Sequence, residues 1–319
     1  MSKKGTRILM WVLAGVFLTL AIVCFFLTYM LNSINRGAGT FSDNNLGIEM
    51  GLPDDAINIA VFGVDSRTDE VSGRSDAMMI VSIDTKHKKI KAVSLMRDSL
   101  VSIEDYGKRK LNSAYAIGGV ELAIKTINQN YGMNIKDYVT VNFNQLADLV
   151  DALGGVEVEI TEAERKNANK YIKEMSDEAG MEADLIKEAG YVTLHGYQTV
   201  AYTRIRYVGN SDFERTERQR EIMRKLMDKA LDTKITRYPS LINSLLPMVE
   251  TSLSNEEILK IAGFIFLAGK PEFEEGRFPI DGTYKTNESY AMVYDLDKAA
   301  EKLNSFIYDD EPFYEEESE

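Results

Sequence analysis

Ile57-Asn-Ile-Ala-Val-Phe-Gly-Val64 is a short, almost unbroken apolar run. That is the pattern of a strand buried on both faces, and it fixes the kind of fold this chain adopts. Two more such runs follow, Ala77–Ile83 and Ile90–Met96, with only the basic stretch 84–89 between them, read as a hairpin or close crossover. Apolar residues then recur at helical spacing over 120–130 and 144–153. The second segment stops at Gly154-Gly155 and gives way to the alternating strand Val156–Ile160. Residues 162–189 carry many charges and few large apolar side chains, as an exposed helix does. Gly196–Ala201 is expected to lead into a strand carrying Tyr202, Arg204 and Arg206 on one face. A long helix is expected from Ser211, with Ser211 and Glu214 in capping-box spacing. The helical stretch 233–268 is expected to pack on the same core. Strands interleaved with helices predict an α/β domain with a mixed sheet between helical layers.

Upstream of that domain, Ile8–Leu31 runs for 24 residues without a charge. As a helix it is about 36 Å long, enough to span a bilayer with some tilt. Lys3, Lys4 and Arg7 precede it and only Arg36 follows closely, so the N-terminus is expected in the cytoplasm and the rest outside. The chain thus divides into a cytoplasmic N-terminus (1–7), a transmembrane signal anchor (8–31), a polar stem (32–56), the working domain (57–308) and an acidic tail (309–319), read as a solvated end. The expected location is the cell membrane, single-pass, with the domain on the outer face. Nucleoside triphosphates are scarce there, which argues against ATP as substrate.

Of the 319 residues, 45% are hydrophobic and 27% charged, which suits a packed core; the net charge of −13 argues against sequence-independent nucleic-acid binding. The single cysteine, Cys24, lies in the uncharged run, and His87 and His195 both sit in stretches read as turns. Zinc sites, disulfide frameworks and cysteine nucleophiles therefore drop out. Chemistry is left to carboxylates, arginines and a hard metal.

Those residues gather at predicted strand ends and helix starts, where α/β sheets place ligands. Asp65 leaves the first strand, Arg74 and Asp76 enter the next, Arg97-Asp98 ends the third, and Arg204 and Arg206 precede Arg215 and Gln219. Residues 191–224 hold six arginines and no lysine. Lysine would serve solubility equally well, so the bias points to the planar, bidentate guanidinium. Two arginines on one strand face would stand roughly 7 Å apart, a separation that suits a diphosphate. Arg215, Gln219, Ile222 and Leu226 share one face of the following helix. Asp65 and Asp76 are candidate ligands for Mg²⁺, which takes few carboxylates plus phosphate oxygens. Equally, Asp65 could cap a turn, Asp76 could pair with Arg74, and Arg218 and Arg220 could belong to an ordinary salt-bridged helix.

At these positions the chain resembles the LytR-CpsA-Psr family of envelope phosphotransferases. The matching pieces are Gly63-Val64-Asp65-Ser66-Arg67, Arg74-Ser75-Asp76, Ser94-Leu95-Met96-Arg97-Asp98, Lys110-Leu111-Asn112-Ser113-Ala114-Tyr115, Val150-Asp151-Ala152-Leu153-Gly154-Gly155-Val156, Tyr202-Thr203-Arg204-Ile205-Arg206, Asp212-Phe213-Glu214-Arg215 and Arg218-Gln219. The resemblance implies a three-layer α/β/α domain with an apolar channel for a polyprenyl chain and a charged mouth for its diphosphate. The implied activity is transfer of an anionic glycopolymer (teichoic acid, capsule or related) from an undecaprenyl-diphosphate carrier to peptidoglycan in a Gram-positive-type envelope. By position, Asp65 and Asp76 are similar to the Mg²⁺-associated acids, and Arg74, Arg97, Arg204, Arg206, Arg215 and Gln219 to the diphosphate-binding set. Arg97, Asp98, Arg204 and Arg206 are the expected catalytic group. A non-catalytic lipid-diphosphate binder or regulator, or a lipid-diphosphate hydrolase, would need the same arginines. Residues beyond about 230 inherit nothing from the resemblance.

Overall fold

The computed structural model describes residues 35–37, 41–42, 45–64, 75–206, 212–233 and 249–314. The predicted cytoplasmic N-terminus and anchor, together with Asp65, Arg74 and Ser211, lie outside them. Among the described residues no helix is long and apolar enough to cross a membrane.

In chain order the strands are β1 (Asn35–Arg36), β2 (Ala56–Val64), β3 (Ser75–Asp84), β4 (Lys89–Leu95), β5 (Leu100–Ile103), β6 (Gly107–Lys110), β7 (Asp137–Asn142), β8 (Val156–Ile160), β9 (Gly190–Leu194), β10 (Glu250–Thr251), β11 (Glu272–Phe278), β12 (Lys285–Thr286) and β13 (Met292–Val293). The helices are α1 (Asn112–Tyr131), α2 (Phe143–Ala152), α3 (Glu162–Ala179), α4 (Gly196–Arg204), α5 (Asp212–Asp232), α6 (Asn255–Ala268) and α7 (Leu296–Tyr308).

Seven strands form one mixed sheet in the order β1-β10-β7-β2-β3-β4-β11, with β7 parallel to β2 and β11 parallel to β4. The three apolar runs lie side by side as β2, β3 and β4, both pairs antiparallel, so of the two alternatives at 84–89 the hairpin is the one formed. Their period-two alternation sorts side chains between two layers. Ala60, Phe62, Val64, Met78, Ile80, Val93 and Leu95 face a core completed by Ile124, Ile127 and Tyr131 of α1 and Leu303, Phe306 and Ile307 of α7. Val61, Gly63, Ala77 and Met79 face the other way. A second core there gathers α2 to α5 and the β8–β9 hairpin around Val150, Ile172, Val200, Ile205, Ile222 and Leu226. Helix, sheet, helix is the expected three-layer order.

Local signals place the helices of that second layer. Asn142 and Gln145 close a capping box on α2, and Thr161 and Glu164 close one on α3. Residues 196–204 correct the strand expected at Tyr202–Arg206, because they form α4. Gln198 Oε1 accepts from the His195 N–H at 3.1 Å, and the Gly196 N–H donates to Asp151 Oδ1 at 2.8 Å. Thr199, Val200, Ala201 and Tyr202 are all buried once the segment is helical, so packing overrides its β-branched and aromatic composition.

Further expectations change. The stem is partly folded, since Asn35–Arg36 extends the sheet and Leu46 is fully buried. The acidic tail begins as structure: Asp310 binds Lys89 and Lys91, and Phe313 packs against Phe278 and Phe306. Of the stretch 233–268, residues 234–248 lie outside the described residues; Thr251 and Leu253 are buried, but α6 buries none of its residues. His87, read as part of a solvated turn, places Nδ1 2.8 Å from Asp84 Oδ2.

Candidate functional site

Between the sheet's second face and helices α2 and α5 lies a cavity of about 450 Å³, within the usual span of small-molecule sites. Its floor is Val61, Gly63, Ala77 and Met79. A Cβ at Gly63 would stand 3.0 Å from the Ala77 Cβ, so small residues on β2 and β3 leave room above the sheet. Leu146, Leu149 and Leu153 form one wall, and Ile222, Met223, Leu226, Met227 and Ala230 the other. Arg215, Gln219, Ile222 and Leu226 do share one face of α5, and all four line the cavity. From Arg215 to Ala230 the helix rises about 22 Å, giving the channel its length.

Asp76, Thr203, Arg204, Arg206, Arg215 and Gln219 line the same cavity at its polar end. Arg204 ends α4 and its guanidinium carbon lies over two rings, 4.8 Å from the Phe143 centroid and 5.1 Å from that of Tyr171. Two rings at that distance attract the cation without using its N–H donors, which stay available to an anion. Arg206 Nη2 donates to Asp76 Oδ2 at 3.1 Å, and Arg97 Nη1 to Asp76 Oδ1 at 2.6 Å. Asp98 follows: its Oδ2 is 3.6 Å from Arg97 Nε and its Oδ1 is 2.8 Å from Lys110 Nζ. Arg215, on the first turn of α5, is 3% exposed.

Asp76, Arg204, Arg206, Arg215 and Gln219 therefore line one end of the cavity, although Arg204 and Arg206 arrive from a helix end and the loop after it; Arg97 joins them through Asp76, and Asp98 through Arg97. Asp65 and Arg74 lie outside the described residues. Among those described, Asp76 is the candidate metal ligand at the mouth. Its two oxygens each accept one guanidinium, which leaves acceptor capacity on a carboxylate, so it fits as one ligand to a hard cation. Arg218 answers to the structural alternative. It is buried, with Nε 2.9 Å from Glu164 Oε1, Nη2 2.9 Å from Glu214 Oε2 and Nη1 donating to the Ile205 carbonyl at 3.2 Å. Burial opposes ionisation of Glu164, yet the Thr161 N–H and hydroxyl and the Arg218 guanidinium hold its carboxyl below the ordinary value. Arg218 thereby ties α3 and α5 to the loop that presents Arg206. Burial and the nearby Glu221 and Glu164 charges push the Tyr202 phenol up.

Sequence reasoning missed Phe143, Tyr171 and Lys110. Lys110 stands inside a quoted motif, but nothing in the spacing marks it as the partner of Asp98. Phe143 and Tyr171 leave no signal, because only the folded layer brings α2 and α3 to the end of α4.

An α/β protein with an apolar channel opening at a guanidinium mouth suits an amphiphile with an anionic head. The chain belongs to the LytR_cpsA_psr family, whose profile matches residues 30–305. It is 30% identical over 235 residues to the regulatory protein MsrR of Staphylococcus aureus, covering 73% of this chain and 67% of MsrR. It is 32% identical over 210 residues to the polyisoprenyl-teichoic acid–peptidoglycan teichoic acid transferase TagU of Enterococcus faecalis, covering 64% of each. Among solved structures it is similar in fold to Bacillus subtilis TagT, with a TM-score of 0.62, 23% identity and coverage of 87% of this chain and 98% of that one. A TagT structure with bound octaprenyl pyrophosphate matches with a TM-score of 0.57 at 22% identity, over 86% of this chain and 99% of that one.

Proposed function

We propose that this chain transfers an anionic glycopolymer, of the teichoic acid or capsule type, from an undecaprenyl-diphosphate carrier to peptidoglycan. The observation that carries the reading is a single cavity that joins an apolar channel to a mouth of Arg204, Arg206 and Arg215. An isoprenoid can replace water along the leucine and methionine walls, a gain proportional to the area covered, while the guanidiniums receive the diphosphate. The transferase name of TagU and the octaprenyl pyrophosphate held by TagT support the same substrate class.

In this reaction an acceptor sugar hydroxyl attacks the phosphorus that carries the glycan. A new O–P bond forms, the bond to the bridging oxygen breaks, and polyprenyl phosphate leaves with the electron pair. Charge spreads over phosphoryl oxygens in such a transition state, so positioning and electrostatic stabilisation do most of the catalysis. Arg204, Arg206 and Arg97 would meet that charge. The hydroxyl proton would pass to a carboxylate at the mouth, with Asp98 and Asp76 the candidates by position. Mg²⁺ held by Asp76 and Asp65 would, when bound, neutralise charge on the diphosphate oxygens. The reaction would occur on the outer face of the cell membrane, with the 8–31 run as anchor.

Incubating the full-length chain with a lipid-linked phosphoglycan and peptidoglycan oligomers tests this. The expected products are polyprenyl phosphate and a glycan joined to the acceptor by a phosphodiester. Lipid bound tightly without product would identify a binder or regulator, in keeping with the name of MsrR. Free phosphorylated glycan formed without acceptor would identify a hydrolase. Either result overturns the transferase.

A further inference from the structure

The helix α6 reads Asn-Glu-Glu-Ile-Leu-Lys-Ile-Ala-Gly-Phe-Ile-Phe-Leu-Ala, and from Ile261 to Ala268 it carries no charge. Helices that are apolar all round are normally buried, yet no residue of this one is. Leu259, Phe266 and Leu267 are 47%, 70% and 83% exposed. Leu259, Ala262 and Phe266 follow at helical spacing and form one outward stripe, with Leu267 beside it. A contiguous apolar patch of this kind marks an interaction surface.

The helix ends show what the patch faces. At the N-terminal end, Arg36 of β1 donates to Asn255 Oδ1, and Asn35 comes four residues after Leu31, where the uncharged run stops. Arg36, which makes that contact, follows Leu31 by five residues, at most about 18 Å of chain, so the predicted span keeps the start of α6 near the membrane. At the other end, Lys270 Nζ lies 3.1 Å from Asp232 Oδ1 and 3.5 Å from Asp228 Oδ1 at the end of α5. Met227 and Ala230, one turn away, line the channel's far end. Fourteen residues make a helix of about 21 Å, too short to cross a bilayer and suited to lying in its surface plane.

We infer that the apolar stripe of α6 docks on the lipid bilayer and holds the channel's far end against it. Its role in admitting an isoprenoid rests on the function proposed above; the docking itself rests on α6 and the neighbouring span. The arginine mouth then stands a channel's length away from the lipid.

The test uses the full-length chain with Cys24→Ser, reconstituted in phosphatidylglycerol–phosphatidylcholine vesicles, with a nitroxide at Phe266→Cys. Dissolved oxygen is expected to relax this label several-fold more strongly than a water-soluble nickel chelate. The reverse is expected for a label at Tyr290→Cys, beside β13, whose Met292 N–H bonds to the Asp98 carbonyl at the mouth end. A Phe266 label as open to the chelate as the Tyr290 label would overturn the docking. So would dipolar broadening that reports a second copy on the stripe. Transfer by a chain whose Phe266 label stays in water would leave the proposed function standing without the docking. A lipid-buried label on a chain without transfer would do the opposite.

Discussion

Arg204 shows how the mouth is tuned one side chain at a time. Its guanidinium lies over the rings of Phe143 and Tyr171, an arrangement worth about 0.5–2 kcal/mol depending on how dry it is. Tyr171→Leu keeps the apolar volume and removes one ring. It should weaken binding of a polyprenyl diphosphate by about three- to tenfold with unchanged thermal stability, as read by calorimetric titration; unaltered affinity would show that the rings do not position Arg204. Arg206→Lys keeps the charge and loses the fork that reaches Asp76. A fall in turnover of about a hundredfold is expected, and equal rates for arginine and lysine would contradict a bidentate role. The arginine-only stretch 191–224 announced these residues in the sequence because residue choice is a local signal. Their geometry was not legible: the expected shared strand face is a helix end and a loop, and the rings beside Arg204 come from α2 and α3.

Among the elements, the joint between β7, β10 and α6 carries a titration. Burial, reinforced by the neighbouring Glu257, pushes the Asp137 carboxyl up to about 6 although the Ser252 hydroxyl donates to it. An unfolded aspartate releases its proton near pH 4. Between about pH 4 and 6 the folded state therefore holds the extra proton, and its stability falls as pH rises through that window. Asp137→Asn removes the linkage. Its stability relative to the parent should rise from pH 4 to pH 7 by on the order of 2 kcal/mol in urea denaturation; a pH-independent difference would contradict the assignment. Elements with a cap or an unbroken apolar period, such as β2 to β4, α2 and the Val156–Ile160 strand, could be read directly from the chain. Residues 196–204 could not, because Thr199-Val-Ala-Tyr202 suits a strand locally and becomes helical only when the second core receives it. For α6 the composition was plain but its burial was misjudged, since an apolar helix reads the same whether protein or lipid covers it.

At the scale of the whole molecule, two cores clamp one sheet, and the C-terminus closes the first of them. Phe313 is 3% exposed against Phe278 and Phe306, and a Cβ on Gly276 would come within 2.4 Å of its ring. Phe313→Ala should cost about 3 kcal/mol in chemical denaturation, whereas an indifferent variant would return the tail to the solvated end that its acidity suggested. The second core leaves the channel open, and this division of labour defines the account: one face of the sheet is packed for stability and the other is left hollow for a ligand. Photocrosslinking a diazirine-bearing polyprenyl diphosphate to the full-length chain, followed by peptide mass spectrometry, tests that most directly. Adducts are expected on the inward residues of α2 and α5, Leu146, Leu149, Ile222, Leu226 and Met227, and are expected to fade with competing unlabelled lipid. Adducts confined to other surfaces, with these residues unlabelled, would contradict it.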